Sequence, residues 1–155
     1  MNGFGNALGT NFNKDSLRVR SFEFNGHTFK VRVPLTAESD AMFERLKRPN
    51  TEIADKLYEE LSKDFKDSKA ENVEILDNDI KVEGRSLRET AENKAQIQAR
   101  ITEMFKLLVP EEVGFDMNTI TYEMIDELFP FAIQMQLLEL IGETVSPSYN
   151  ATKGK

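Results

Sequence analysis

Leu17-Arg18-Val19-Arg20-Ser21-Phe22-Glu23-Phe24-Asn25-Gly26-His27-Thr28-Phe29-Lys30-Val31-Arg32-Val33 is the stretch on which the reading of the fold turns. Two runs rich in β-branched and aromatic residues flank Asn25-Gly26. That dipeptide suits the two positive φ angles of a tight hairpin turn. Two registers are open. A two-residue loop sets Phe22 opposite Phe29, but it places Arg18 and Arg20 on the same face as Val31 and Val33. A three-residue loop gathers Val19, Ser21, Phe29, Val31 and Val33 into a cleaner apolar face. Pro34 cannot donate to a ladder and ends the hairpin.

Upstream, Met1 to Lys14 reads as a flexible arm. Phe4, Leu8 and Phe12 would line up on a helix, but Gly3, Gly5 and Gly9 oppose one. Downstream the period becomes helical. Thr36 caps a helix over Ala37 to Arg48, with Ala41, Met42, Phe43 and Leu46 on its inner side. Pro49-Asn50 breaks it and Thr51 caps the next, whose stripe is Ile53, Leu57, Leu61 and Phe65. The polar stretch Ser68 to Gly84 carries Val73, Ile75, Ile80 and Val82 around Asp77-Asn78. It reads as a small hairpin in preference to an irregular excursion.

Ser86-Leu87-Arg88-Glu89 is a capping box. The helix it opens is expected to run to Val109, with Leu87, Ala91, Ile97, Ile101, Met104, Phe105 and Leu108 on its apolar side. After a connection over Glu111 to Asn118, two helical stretches, Thr119 to Leu128 and Phe131 to Ile141, flank Pro130. Glu143 to Lys155 reads as a disordered tail. The expected fold is therefore α+β, mostly α: an N-terminal β-hairpin (17–33) followed by a helical part (36–142) of four to five amphipathic helices. Together these form a single domain over 15–142, between an arm at 1–14 and a tail at 143–155. No internal repeat is found.

Composition narrows the functional classes. The chain has 155 residues, one His, no Cys and no Trp, and a net charge of -7. An acidic chain repels nucleic acid and anionic membrane surfaces as general partners. Without Cys there are no disulfides or thiolate metal sites, which fits a reducing cytoplasm. No apolar run approaches the roughly 20 residues that span a bilayer, and the N-terminus is not a secretory signal. Six Met and eleven Phe form an adaptable apolar inventory,.

Little chemistry is on offer. His27 sits beside the Asn-Gly turn and reads as a turn residue. Asp77, Asp79 and Glu83 lack the mid-loop Gly and closing Glu of a calcium loop. Glu111-Glu112 and Asp126-Glu127 are adjacent carboxylates that diverge on a helix and make no acid/base dyad. There is no phosphate-binding glycine loop and no nucleophile elbow. The expectation is a chain that is not an enzyme and carries no cofactor or metal. Arg18, Arg20, Lys30 and Arg32 on the hairpin serve either to dock an acidic partner or phosphate backbone, or to guard a strand edge. Phe129, Phe131, Ile133, Met135, Leu137, Leu138, Leu140 and Ile141 cover nearly every side of one helix. Such a helix is either buried all round or held by a partner.

The strand, Asn25-Gly26, strand opening, the Pro34 stop and the acidic helices that follow resemble the tail assembly chaperones of long-tailed bacteriophages. The chain looks like the shorter product of their overlapping frames. Its Thr152-Lys153-Gly154-Lys155 end reads either as an ordinary Lys-ended tail or as a site of ribosomal frameshifting, since Gly-Lys can be encoded by a run of G then A on which slippage occurs. The resemblance implies a non-enzymatic chaperone of the host cytoplasm, absent from the mature virion. It would coat the tape-measure protein, help recruit tail tube protein and self-associate into a ring or spiral. On that reading the partner-binding residues are Phe129, Phe131, Met135, Leu138 and Ile141, with Met104 and Phe105 as neighbours. The alternatives are a structural virion component (tail-completion or head–tail joining) and a small nucleic-acid-binding regulator using the basic hairpin.

Overall fold

Asn25 and Gly26 take φ angles of 54° and 82° in the computed structural model, which describes residues 3–8, 18–48 and 50–146. Two successive positive φ values make the tight turn between β1 (Val19–Phe24) and β2 (His27–Arg32),. The two-residue loop is the one adopted: Phe24 pairs with His27, Phe22 with Phe29 and Arg20 with Val31. The Phe22 and Phe29 rings stack at 5.3 Å. Arg20 does not spoil this face, because its guanidinium reaches past it. It donates to the carbonyl oxygens of Thr144 (3.1 Å) and Val145 (3.4 Å) at the end of the last helix, where a cation is favoured.

Five helices follow the hairpin: α2 (Thr36–Lys47), α3 (Thr51–Ser62), α4 (Leu87–Phe105), α5 (Tyr122–Leu128) and α6 (Phe131–Val145). The protein is thus α+β and mostly α. A short α1 (Phe4–Leu8) lies within the expected arm, with Phe4 and Leu8 exposed. Phe12 and the other arm residues outside 3–8 are not among the described residues. No helix among the described residues is long and apolar enough to cross a membrane. The single domain drawn over 15–142 divides, by its contacts, into two compact units: Met1–Asp40 with Ile101–Lys155, and Ala41–Arg100.

In the first unit Val31, Ile101, Phe105, Leu107, Ile125, Leu137 and Ile141 form the core, with α6 packed on both strands of the hairpin. Burying side chains of this size contributes about 1.5–3 kcal/mol each. α4 stops at Phe105 rather than running on to Val109. The outer edge of β2 claims the next residues: the Arg32 amide donates to Leu107 O and the Val109 amide to Lys30 O, each at 2.8 Å. This pairing satisfies backbone groups of both segments, and a longer helix would have left those on β2 unmatched. At the other end, α6 continues to Val145, into the span expected to be a disordered tail. Val145 packs on the core and the last carbonyls accept from Arg20. Residues 147–155 lie outside the described residues. At the hairpin base Arg18 and Arg32 both pair with Glu38 in the first turn of α2. Hydrogen bonding from Arg32, chief among the causes, holds the Glu38 carboxyl below its ordinary value.

In the second unit the core is Ala54, Leu57 and Tyr58 of α3 against Ala91 and Ala95 of α4. The buried side of α3 is rotated from the expected stripe, so Ile53 is exposed. Asn50, not Thr51, is its N-cap, accepting from the Ile53 amide at 3.1 Å,. The 68–84 stretch does form a hairpin, β3 (Val73–Ile75) with β4 (Ile80–Val82), and β5 (Arg85–Ser86) adds a third strand. Glu83 and Gly84, at φ 53° and 81°, make the β4–β5 turn. Ser86 caps α4 by accepting from the Glu89 amide at 3.0 Å. Asp79 reinforces the cap, accepting from the Ser86 hydroxyl and from the amides of Arg88 and Ile80. Burial opposes its ionisation, but these donors outweigh burial and its carboxyl titrates below its ordinary value.

Candidate functional site

Pro130 sets the site. It ends α5, and its carbonyl accepts from the amides of Ile133 (2.9 Å) and Gln134 (3.0 Å) to start α6. Thr121 caps α5 through the Met124 amide, later than the Thr119 start expected. The corner is locked by Gln134, fully buried. Its amide donates to Asp126 Oδ1 (3.0 Å) and to the Phe129 carbonyl (2.8 Å), and its oxygen accepts from the Tyr122 hydroxyl at 2.7 Å. Burial, aided by the Asp126 charge, raises the Tyr122 phenol above its ordinary pKa. A buried amide with each polar atom satisfied in this way fixes a single geometry.

Of the seven residues expected to bind a partner, Ile141 and Phe105 are core side chains, 0% and 3% exposed. Phe129, Leu138 and Met104 are half-buried and pack on that core, Phe129 edge-on to Phe105 at 6.0 Å. Only Phe131 and Met135 stand out, 52% and 38% exposed. Two residues the pattern did not single out, Met124 (40%) and Leu128 (76%) on α5, are also exposed. Each pair sits four apart, so each makes a stripe on its helix. The four-residue spacing of Met124 and Leu128 carries that signal, but it is weaker than the dense apolar run on α6.

Beside the corner, Phe24, Phe29, Phe129, Pro130 and Ile133 line a groove of about 560 Å³, with His27, Asn25 and Gln136 as its polar lining. His27 stands edge-on to Phe29 at 4.6 Å and faces Glu111 at 3.5 Å. Apolar walls with a few polar groups are what a side-chain or helix docking groove requires. A second concavity, of about 440 Å³ in the other unit, is lined by Arg45, Arg48, Glu52, Glu92 and Gln96 among alanines. Its charges are of both signs, set among small alanine side chains. Among the described residues no three His, Asp or Glu side chains converge as metal ligands would.

The remaining singled-out residues have local duties. Asp79 is a cap, while Asp77 and Glu83 are exposed. Asp126 serves the Gln134 network, and its neighbour Glu127 points elsewhere, exposed. On the hairpin, Arg18 and Arg32 are engaged with Glu38 and Arg20 with the α6 carbonyls. Comparison with protein-family models, with curated proteins and with solved structures finds no match to the chain.

Proposed function

We propose that the protein is a non-enzymatic, protein-binding chaperone of the phage tail assembly type, holding an apolar segment of a client at the α5–α6 corner and the adjoining groove. The observation that carries the reading is the exposure of Met124, Leu128, Phe131 and Met135 at helical spacing on two helices that share one locked corner. The four-residue spacing puts each pair on one face of its helix, and contiguous exposed apolar side chains mark interaction surfaces. Methionine and phenylalanine adapt to varied client sequences at modest cost. The acidic remainder keeps such a complex in solution. The client on this reading is the tape-measure protein, with tail tube protein recruited afterwards and copies of the chain coating the client in a ring or spiral.

The test is co-expression with fragments of the tape-measure protein. The expected outcome is a fragment that stays soluble and co-purifies with the chain, and Leu128→Ser with Phe131→Ser abolishes both effects. An insoluble fragment with no co-purification overturns the proposal. Mass spectrometry of purified virions separates it from a structural role, since a chaperone is missing from finished particles. The nucleic-acid alternative loses its main support, because three of the four hairpin cations already have partners within the fold.

A further inference from the structure

The exposed apolar residues of the corner lie in a segment of one-sided charge. Between Leu107 and Thr152 the chain carries eight carboxylates and no Lys, Arg or His. On α6 the exposed stripe Phe131, Met135 continues at the same four-residue spacing into Glu139 and Glu143, both exposed. On α5 the Met124, Leu128 pair runs beside Glu123 and Glu127, also exposed. Among the described residues none of these four glutamates has a cation beside it: the ion pairs of this unit involve Glu38, Glu103 and Glu111. Apolar anchors are thus flanked on both helices by negative charges that no ion pair among the described residues neutralises.

We infer that the occupant of this surface is a cationic amphipathic helix of another protein, presenting apolar side chains to the corner and Lys or Arg to the flanking glutamates. This rests on the protein-binding reading above and names the chemistry of the partner. Apolar contact alone would accept any amphipathic helix. The uncompensated carboxylates add selectivity, since an acidic helix meets like charge at every flank while a basic one gains attraction and faster encounter. A second copy of the chain is a poorer occupant. Three of the four cations of its hairpin are committed to Glu38 and to the α6 carbonyls, and a second corner would repel the first.

The experiment uses the full chain and three labelled peptides of about 18 residues, some five helical turns. They share one leucine pattern and carry lysine, glutamine or glutamate on the polar face, with binding read by fluorescence anisotropy. The lysine peptide is expected to bind at least about tenfold more tightly than the glutamine peptide, and the glutamate peptide least. Added salt should narrow the gap, because exposed charges are screened within about 8 Å at physiological ionic strength. Combined Glu123→Gln, Glu127→Gln and Glu139→Gln should erase the preference for lysine while leaving glutamine-peptide binding in place. Glu60→Gln with Glu71→Gln, exposed acids of the other unit, should change nothing. Leu128→Ser should weaken all three peptides. Equal binding of the three peptides overturns the inference and leaves the protein-binding reading standing. Binding of none of them overturns both at this site. A lysine preference that survives Leu128→Ser, or falls equally with Glu60→Gln and Glu71→Gln, shows attraction to net charge alone and overturns the inference. So does sedimentation showing self-association that Leu128→Ser abolishes, since a second copy then fills the surface.

Discussion

Tyr122, Gln134 and Asp126 show how much can rest on one polar side chain placed where the pattern calls for an apolar one. Gln134 sits in the most hydrophobic stretch of the chain, yet it is fully buried and each of its polar atoms has a partner. Tyr122→Phe removes the donor to its oxygen and strands a buried acceptor, so it is expected to lower the unfolding free energy by about 1–3 kcal/mol in a urea titration. The phenol itself reports on the corner. Its pKa is raised on folding, so the native state holds its proton longer than the unfolded chain does. Its contribution to stability is full below the ordinary tyrosine value and is lost as pH rises through the folded value,. Arg20 teaches the same lesson from the surface. Judged by alternation alone it is a misfit on an apolar face, and only its reach to Thr144 and Val145 explains the register.

Turns and caps govern at the scale of the element. Asn25-Gly26 was legible because the dipeptide itself advertises two positive φ angles. Glu83-Gly84 adopts nearly the same angles without that signature, so β5 was not foreseen. Gly84→Ala is expected to cost about 1 kcal/mol, since an alanine at φ near 81° is strained,; thermal unfolding checks it. The start of α4 was legible from its Ser-x-x-Glu box, but the second acceptor, Asp79, comes from another strand and could not be read from local spacing. Glu38 joins the hairpin to α2, and its pH dependence has a definite sign. Its folded pKa is lowered, so the unfolded chain binds the proton first. The stabilisation is full above the ordinary carboxylate value and disappears as pH falls through the folded one,. Glu38→Gln should therefore flatten the acid limb of a stability–pH profile measured by denaturant midpoints, with little change in its slope near neutrality.

At the scale of the whole molecule, the described residues form two small cores. α4 makes this plain: Ala91 and Ala95 belong to one cluster, Ile101 and Phe105 to the other. The change from a weakly to a strongly apolar half of that helix was visible in the chain, but not its meaning. Exposed and buried members of α6 should respond in opposite ways. Leu137→Ala, in the core, is expected to cost about 2–5 kcal/mol,. Phe131→Ser should stay within about 0.5 kcal/mol of the parent while weakening client binding. A large loss of stability from Phe131→Ser, seen by calorimetry, would mean that the corner is held closed by this chain's own residues and is not a docking surface.

Local chemistry determined the hairpin, the Pro130 break and the acidic, thiol-free character of the protein. Turn dipeptides, caps and period are properties of neighbouring residues. Which apolar side chains were to be buried was decided only by the tertiary structure, because α6 is hydrophobic on nearly every side and its own period cannot rank its faces. Packing against β1 and β2 took Leu137 and Ile141 inward and left Phe131 and Met135 out. The free edge of β2 ended α4 at Phe105, since backbone groups from distant parts of the chain satisfied one another there.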